Sequence, residues 1–154
     1  MSPDVKPLGL SALENGVMSP LLQEVWSWHR EAAGFICPKL DLATVCLTKT
    51  HMQVERLPEF VSIGAETLIS RTMGDQWSEE AHGTNKPTDP VLDRLVRPGF
   101  ERAASGKTSL EIVSISADTP TGFVELHYER LLLPVQTRVG LPFLLIVTHP
   151  LSVN

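Results

Sequence analysis

The hydrophobic pattern of this chain is helical in its first part and strand-like in its final third. Leu21, Leu22, Val25, Trp26, Trp28, His29, Ala32 and Ala33 recur at helical spacing, the stripe that an amphipathic helix presents to a core. Ser19 is a capping residue, Pro20 suits the first helical position, where no N–H bond is needed, and Gly34 is a stop. Ahead of this helix, residues 1–18 carry Pro3, Pro7, Gly9 and Gly16 and read as a loosely ordered arm. Residues 35–50 scatter their apolar positions around Pro38 and predict a packed connection with one helical turn. His51–Leu57 and Phe60–Ile63 read as two short strands about a Pro58–Glu59 turn, and Glu66–Met73 as a short helix ended by Gly74.

Residues 78–88 are polar and turn-rich, hence a loop. Asp89–Pro90 repeats the cap-and-proline signature. Leu92, Val96, Phe100 and Ala104 then form a stripe of spacing four that predicts a helix to Gly106, kinked at Pro98 where a backbone hydrogen bond is lost. Beyond it, Leu110–Ser116 is rich in Ile and Val, and Phe123–Pro134 alternates Val124, Leu126 and Tyr128 with Glu125, His127 and Glu129. Phe143–Thr148 is almost continuously apolar, as in a strand buried on both faces. Short turns between them make residues 109–116, 123–134 and 143–149 an antiparallel meander. The last strand is expected in the sheet centre beside His51–Leu57.

The 154 residues fit one domain, divided here into the arm, a folded unit over 19–149 and a tail at 150–154. With 42% hydrophobic and 20% charged residues the chain is too apolar for disorder. Its net charge of −5 argues against broad nucleic-acid affinity, which needs a basic footprint. Cys37 and Cys46 are too few for a disulfide framework or a four-cysteine zinc site. The start lacks the basic and apolar segments of a signal peptide, and the runs Leu131–Leu133 and Phe143–Val147 fall far short of the ~20 residues that cross a bilayer. The expectation is a cytoplasmic protein off the membrane, its thiols reduced.

Phe60-Val61-Ser62-Ile63-Gly64, followed by Ser70-Arg71-Thr72-Met73-Gly74-Asp75-Gln76-Trp77, resembles the second strand and first short helix of a family of small stand-alone bacterial PAS-like proteins. Tyr128-Glu129-Arg130-Leu131-Leu132-Leu133-Pro134-Val135 is similar to that family's penultimate strand. The resemblance spans about residues 19–149. It implies an α+β, PAS-like fold: a five-stranded antiparallel sheet with helices on one face, preceded here by the N-terminal amphipathic helix. It also implies a sensory or interaction role in bacterial signal transduction, without enzyme activity or a defined cofactor. The polar loop from Trp77 to Asp89 and the helical Pro98 depart from the pattern. Pro150–Asn154 is too short for an output domain, so a signal is expected to leave through a separate partner protein.

Within that frame Phe60, Ile63, Leu68, Trp77, Leu92, Leu95, Phe100, Leu126, Tyr128 and Ile146 are expected between sheet and helices, as plain core or as the lining for a small apolar ligand. No cofactor is expected: His82, the positional candidate for a haem ligand, lies in the polar loop of residues 78–88, and no flavin motif surrounds either cysteine. No helical histidine pair marks a metal site. The other reading is a small enzyme on a cone-shaped α+β fold, using His127 with Glu125 or Glu129 as acid and base. It requires His127 to line a concave pocket rather than face solvent or the N-terminal helix. Finally, the apolar arc of that helix covers about 160° against the ~100° that one docked surface needs. Leu21, Leu22, Val25, Trp26, Trp28 and His29 are therefore expected to serve a homodimer as well as the helix's own sheet, with one tryptophan in each contact.

Overall fold

The structure, a computed structural model, describes residues 4–35, 44–47, 60–63, 67–74, 90–119 and 122–153. In chain order these form β1 (Asp4–Leu8), α1 (Ser11–Glu14), α2 (Pro20–Glu31), β2 (Thr44–Leu47), β3 (Phe60–Ile63), α3 (Leu68–Met73), α4 (Pro90–Ala104), β4 (Ser109–Thr119), β5 (Gly122–Gln136) and β6 (Pro142–Val153). The strands make one antiparallel sheet in the order β1-β4-β5-β6-β2-β3.

The meander is present and longer than the sequence predicts. Its last strand lies inside the sheet, between β5 and β2, as the apolar run Phe143–Val147 predicts. Other expectations change. Among the described residues the sheet has six strands, against the five expected. Residues 4–8, read as arm, pair with β4; Pro7 is tolerated because β1 is an edge strand. The neighbour of β6 among the described residues is Thr44–Leu47, in the segment read as a connection. His51–Leu57 lies outside the described residues. The expected tail is also strand, since β6 runs to Val153.

Alternation sorts the side chains onto two faces, because the β4–β5 ladder runs without a register shift. On the outer face Leu110, Leu131, Leu133, Val135, Leu145 and Val147 pack with Leu13 and Met18 from the former arm, and with Leu22 and Val25 of α2. On the inner face Val113, Ile115, Leu126 and Tyr128 pack with Leu68 of α3. Covering both faces explains why Leu131, Leu132 and Leu133 abandon alternation: all three are fully buried. Each contributes about 2 kcal/mol relative to exposure.

Polar contacts tie α2 down at both ends. Ser19 does not cap through its hydroxyl. Instead its N–H donates to both carboxylate oxygens of Glu129, at 3.1 and 3.2 Å. At the other end the Nε2–H of His29 donates to the Pro134 carbonyl at 2.8 Å. The helix then stops in a left-handed turn, with Ala33 at φ 52° and the Gly34 N–H reaching the His29 carbonyl. On the other side of the sheet, α4 continues through Pro98.

Candidate functional site

The inner face carries buried charge. Glu111 of β4 and Arg130 of β5 are register partners, at 0% and 5% exposure. Their nearest approach, Arg130 Nη1 to Glu111 Oε1, is 3.7 Å, an ion pair too long for a hydrogen bond. The Phe100 ring of α4 lies 4.7 Å from the Arg130 guanidinium, a cation–π contact. Arg102 donates from Nε and Nη2 to the Ser109 hydroxyl, at 3.1 and 3.0 Å, and Ser109 in turn donates to Glu111 Oε1 at 3.4 Å. Arg102 also stands 3.8 Å from the same oxygen. The carboxylate reaches close to α4 because residue 99 is glycine: a Cβ there would overlap Oε1.

Two polar atoms of this cluster are left unpaired. Among the described residues neither Oε2 of Glu111 nor Nη1 of Arg130 has a hydrogen-bond partner, although both atoms are buried. A buried charged group left short of partners costs several kcal/mol. Tyr128, on the same face, is a third polar group. Burial pushes its phenol pKa above the usual 10.0; the Arg130 charge opposes that rise and the Glu111 charge adds to it.

The predicted lining is brought together in part. Leu68, Leu126 and Tyr128 share one cluster. Ile146 is buried opposite Leu132, on the inner face. Phe100 stacks on Arg130, and Leu95 is half-buried on α4. Phe60 and Ile63 stand on β3 and Leu92 on α4, whereas Trp77 and His82 lie outside the described residues. Sequence reasoning missed Gly99, Arg102, Ser109, Glu111 and Arg130 as a unit. The available signal was a carboxylate at an inward position of β4, between Leu110 and Ile112, with an arginine at an inward position of the next strand.

His127 lies on the outer face, the one that α2 covers, where its Nδ1 is 2.7 Å from the Ser114 hydroxyl. Glu129 is committed to the start of α2. Among the described residues no group of three or more His, Cys, Asp or Glu side chains could hold a metal ion, and no helix is long and apolar enough to cross a membrane. The six α2 residues expected at an interface all engage the protein's own domain. Leu22 and Val25 are buried, Leu21, Trp26 and Trp28 pack half-buried on the same outer-face core, and His29 holds Pro134. Both tryptophans touch this core while staying half-exposed, and Arg30 stacks 4.6 Å from the Trp26 ring.

No family model matches the chain, and no curated protein does. Among solved structures it is similar to an RNA-binding light-oxygen-voltage receptor, at 14% identity and a TM-score of 0.49. The match covers 98% of this chain, which spans 39% of that receptor's length.

Proposed function

We propose that this protein is a non-enzymatic sensory or adaptor module of bacterial signal transduction. It takes a small molecule between the inner sheet face and α4, and relays occupancy through α2 to a separate partner protein. The observation that supports this reading is the incomplete polar cluster on the inner face. A domain built only to pack would be expected to complete the Glu111–Arg130 pair or replace it with hydrocarbon. The body of the ligand is apolar, in keeping with Leu68, Leu126, Phe100 and Ile146. The outer-face position of His127 disfavours the enzyme reading, which needs a concave pocket around that imidazole. A homodimer through the outward edge of α2 remains part of this proposal, with Trp26 and Trp28 as half-buried contributors.

Native mass spectrometry of protein purified from cells tests the reading. A small molecule that stays bound under gentle ionisation and leaves on denaturation is the expected result. A bare-chain mass under the same conditions, from protein made in several hosts, counts against the ligand.

A further inference from the structure

The turn between β5 and β6 carries side chains that its own geometry does not call for. The Gly140 N–H donates to the Thr137 carbonyl at 2.9 Å, and the Thr137 N–H to the Leu141 carbonyl at 3.0 Å. The Leu141 N–H donates to the Thr137 hydroxyl at 3.1 Å. Gly140, at φ 84°, supplies the left-handed residue that closes such a hairpin. These contacts account for Thr137 and Gly140. They do not account for Val139 and Leu141, which stand where turns usually carry Asn, Asp, Gly or Ser. Val139 is 83% exposed and Leu141 55%. Phe35, 42% exposed, belongs to the same corner, because the Gln136 N–H donates to the Gly34 carbonyl. The tip also projects: among the described residues β4 pairs with β5 as far as Leu132, and β2 with β6 as far as Phe143, so residues 137–141 lie past both neighbours. We propose that this tip is a peripheral contact with a lipid bilayer. Val139 and Leu141 enter the boundary between headgroups and acyl chains, and Arg138 pairs with anionic headgroup phosphates.

Size and charge favour lipid over a protein partner. A stable protein interface takes ~20–30 residues a side, and a few apolar side chains on a projecting turn fall well short of that. A bilayer boundary instead accepts an apolar wedge to a depth of ~5–10 Å, a depth that suits a hairpin tip. The chain as a whole carries −5 and is repelled by an anionic surface. The tip is locally different. Arg138 is the single Asp, Glu, Lys or Arg in residues 131–154, and Arg30 and Glu31 at the adjoining end of α2 offset each other. Charges beyond about 8 Å are largely screened at physiological salt, so the surface meets the positive charge beside the apolar pair. The contact is weak and reversible, since even a whole myristoyl chain binds membranes only marginally.

Co-sedimentation of the full-length protein with extruded vesicles at millimolar lipid tests this. The vesicles are phosphatidylcholine alone, or phosphatidylcholine mixed with the anionic phosphatidylglycerol. The wild-type protein should sediment with the mixed vesicles and less with phosphatidylcholine alone. Val139→Asp and Leu141→Asp should each lower the partition coefficient at least about tenfold, with an unchanged circular dichroism spectrum. Arg138→Gln should abolish the preference for the mixed vesicles. With nitroxide-labelled headgroups, the amides of residues 138–141 should broaden before any others. If the wild-type protein stays in the supernatant with both vesicles, or the aspartate variants sediment as it does, the membrane contact is refuted. If light scattering shows a wild-type dimer that Val139→Asp dissociates, while vesicles leave the protein unbound, the tip is a protein contact and the proposal is equally wrong. Should the aspartate variants fail to fold, nitroxide broadening of the wild-type protein decides alone: broadening centred elsewhere overturns the proposal.

Discussion

Replacing Gly99 with alanine turns the packing of the charged cluster into a measurable sign. Gly99 sits inside α4, and its φ is not among the positive ones, so the backbone does not demand glycine there. On propensity alone alanine should stabilise the helix by about 1 kcal/mol. The structure opposes this. The new Cβ would overlap Glu111 Oε1 and stand 3.0 Å from Cδ and 3.5 Å from Oε2. A carboxylate at the end of a flexible side chain would ordinarily swing aside. This one is held by Ser109 and by two arginines, with its side chain 1% exposed.

Overpacking of a tight site costs about 1–3 kcal/mol, and displacing one member of a buried ion pair approaches the ~3–5 kcal/mol of breaking it. The expected net effect of Gly99→Ala is a loss of about 1–3 kcal/mol, read by urea unfolding with circular dichroism. In a Glu111→Ala background the obstructing atoms are gone, and the same Gly99→Ala change should stabilise by about 0.5–1 kcal/mol. A Gly99→Ala protein more stable than wild type, or an effect of the same size and sign in both backgrounds, would refute the close approach of Glu111 to α4.

Two further outcomes are expected. Glu129→Gln removes the charge that holds the first turn of α2, and should cost about 1 kcal/mol while speeding amide exchange at residues 19–23; unchanged exchange there would show that Glu129 does not anchor the helix. The protein has one tyrosine, so the ultraviolet phenolate band reports Tyr128 alone. Because burial raises its folded pKa above 10.0, its contribution to stability is complete below that pH and is lost as pH climbs through the higher folded value. The native phenolate should therefore appear only above pH 10, with Tyr128→Phe flattening the alkaline loss of stability. Ionisation of the folded protein at the ordinary value would contradict the burial.

The elements with a strong period were legible. The stripe of α2, the alternation of β5 and the apolar run of β6 each report burial directly, and each appears where the pattern places it. The failures share a cause: short elements whose stability is tertiary. β1 contains Pro7 and has one partner among the described residues, β4, so its local sequence argues for a breaker while its edge position makes the proline harmless. β2 is four residues long and owes its extension to β3 and β6 on either side. The charged cluster was hidden for a related reason. Glu111 and Arg130 are nineteen residues apart in sequence, and only the β4–β5 register makes them opposite. The Tyr128–Val135 segment marked Arg130 as part of a family pattern without saying what it faces.

Glu129 and Arg130 put the two halves of the proposed mechanism on adjacent residues. Because successive strand residues point to opposite faces, Glu129 reaches out to the start of α2 while Arg130 reaches in to Glu111 and Phe100. They share a peptide unit in the middle of a strand paired on both sides by β4 and β6. The β5–β6 ladder has its register irregularity close by, between His127 and Tyr128, where the extra residue bends the strand. A ligand that draws Arg130 toward itself has differential contacts with two positions of that backbone, which any ligand-driven shift requires. The outer carboxylate then moves with the inner guanidinium, and the first turn of α2 is the element that registers it. On this reasoning Glu129→Gln should leave occupancy of the inner face intact, read as the bound mass retained in native mass spectrometry, while abolishing any difference in residue 19–23 amide exchange between ligand-bound and ligand-free protein, separating recognition from relay within two neighbouring side chains.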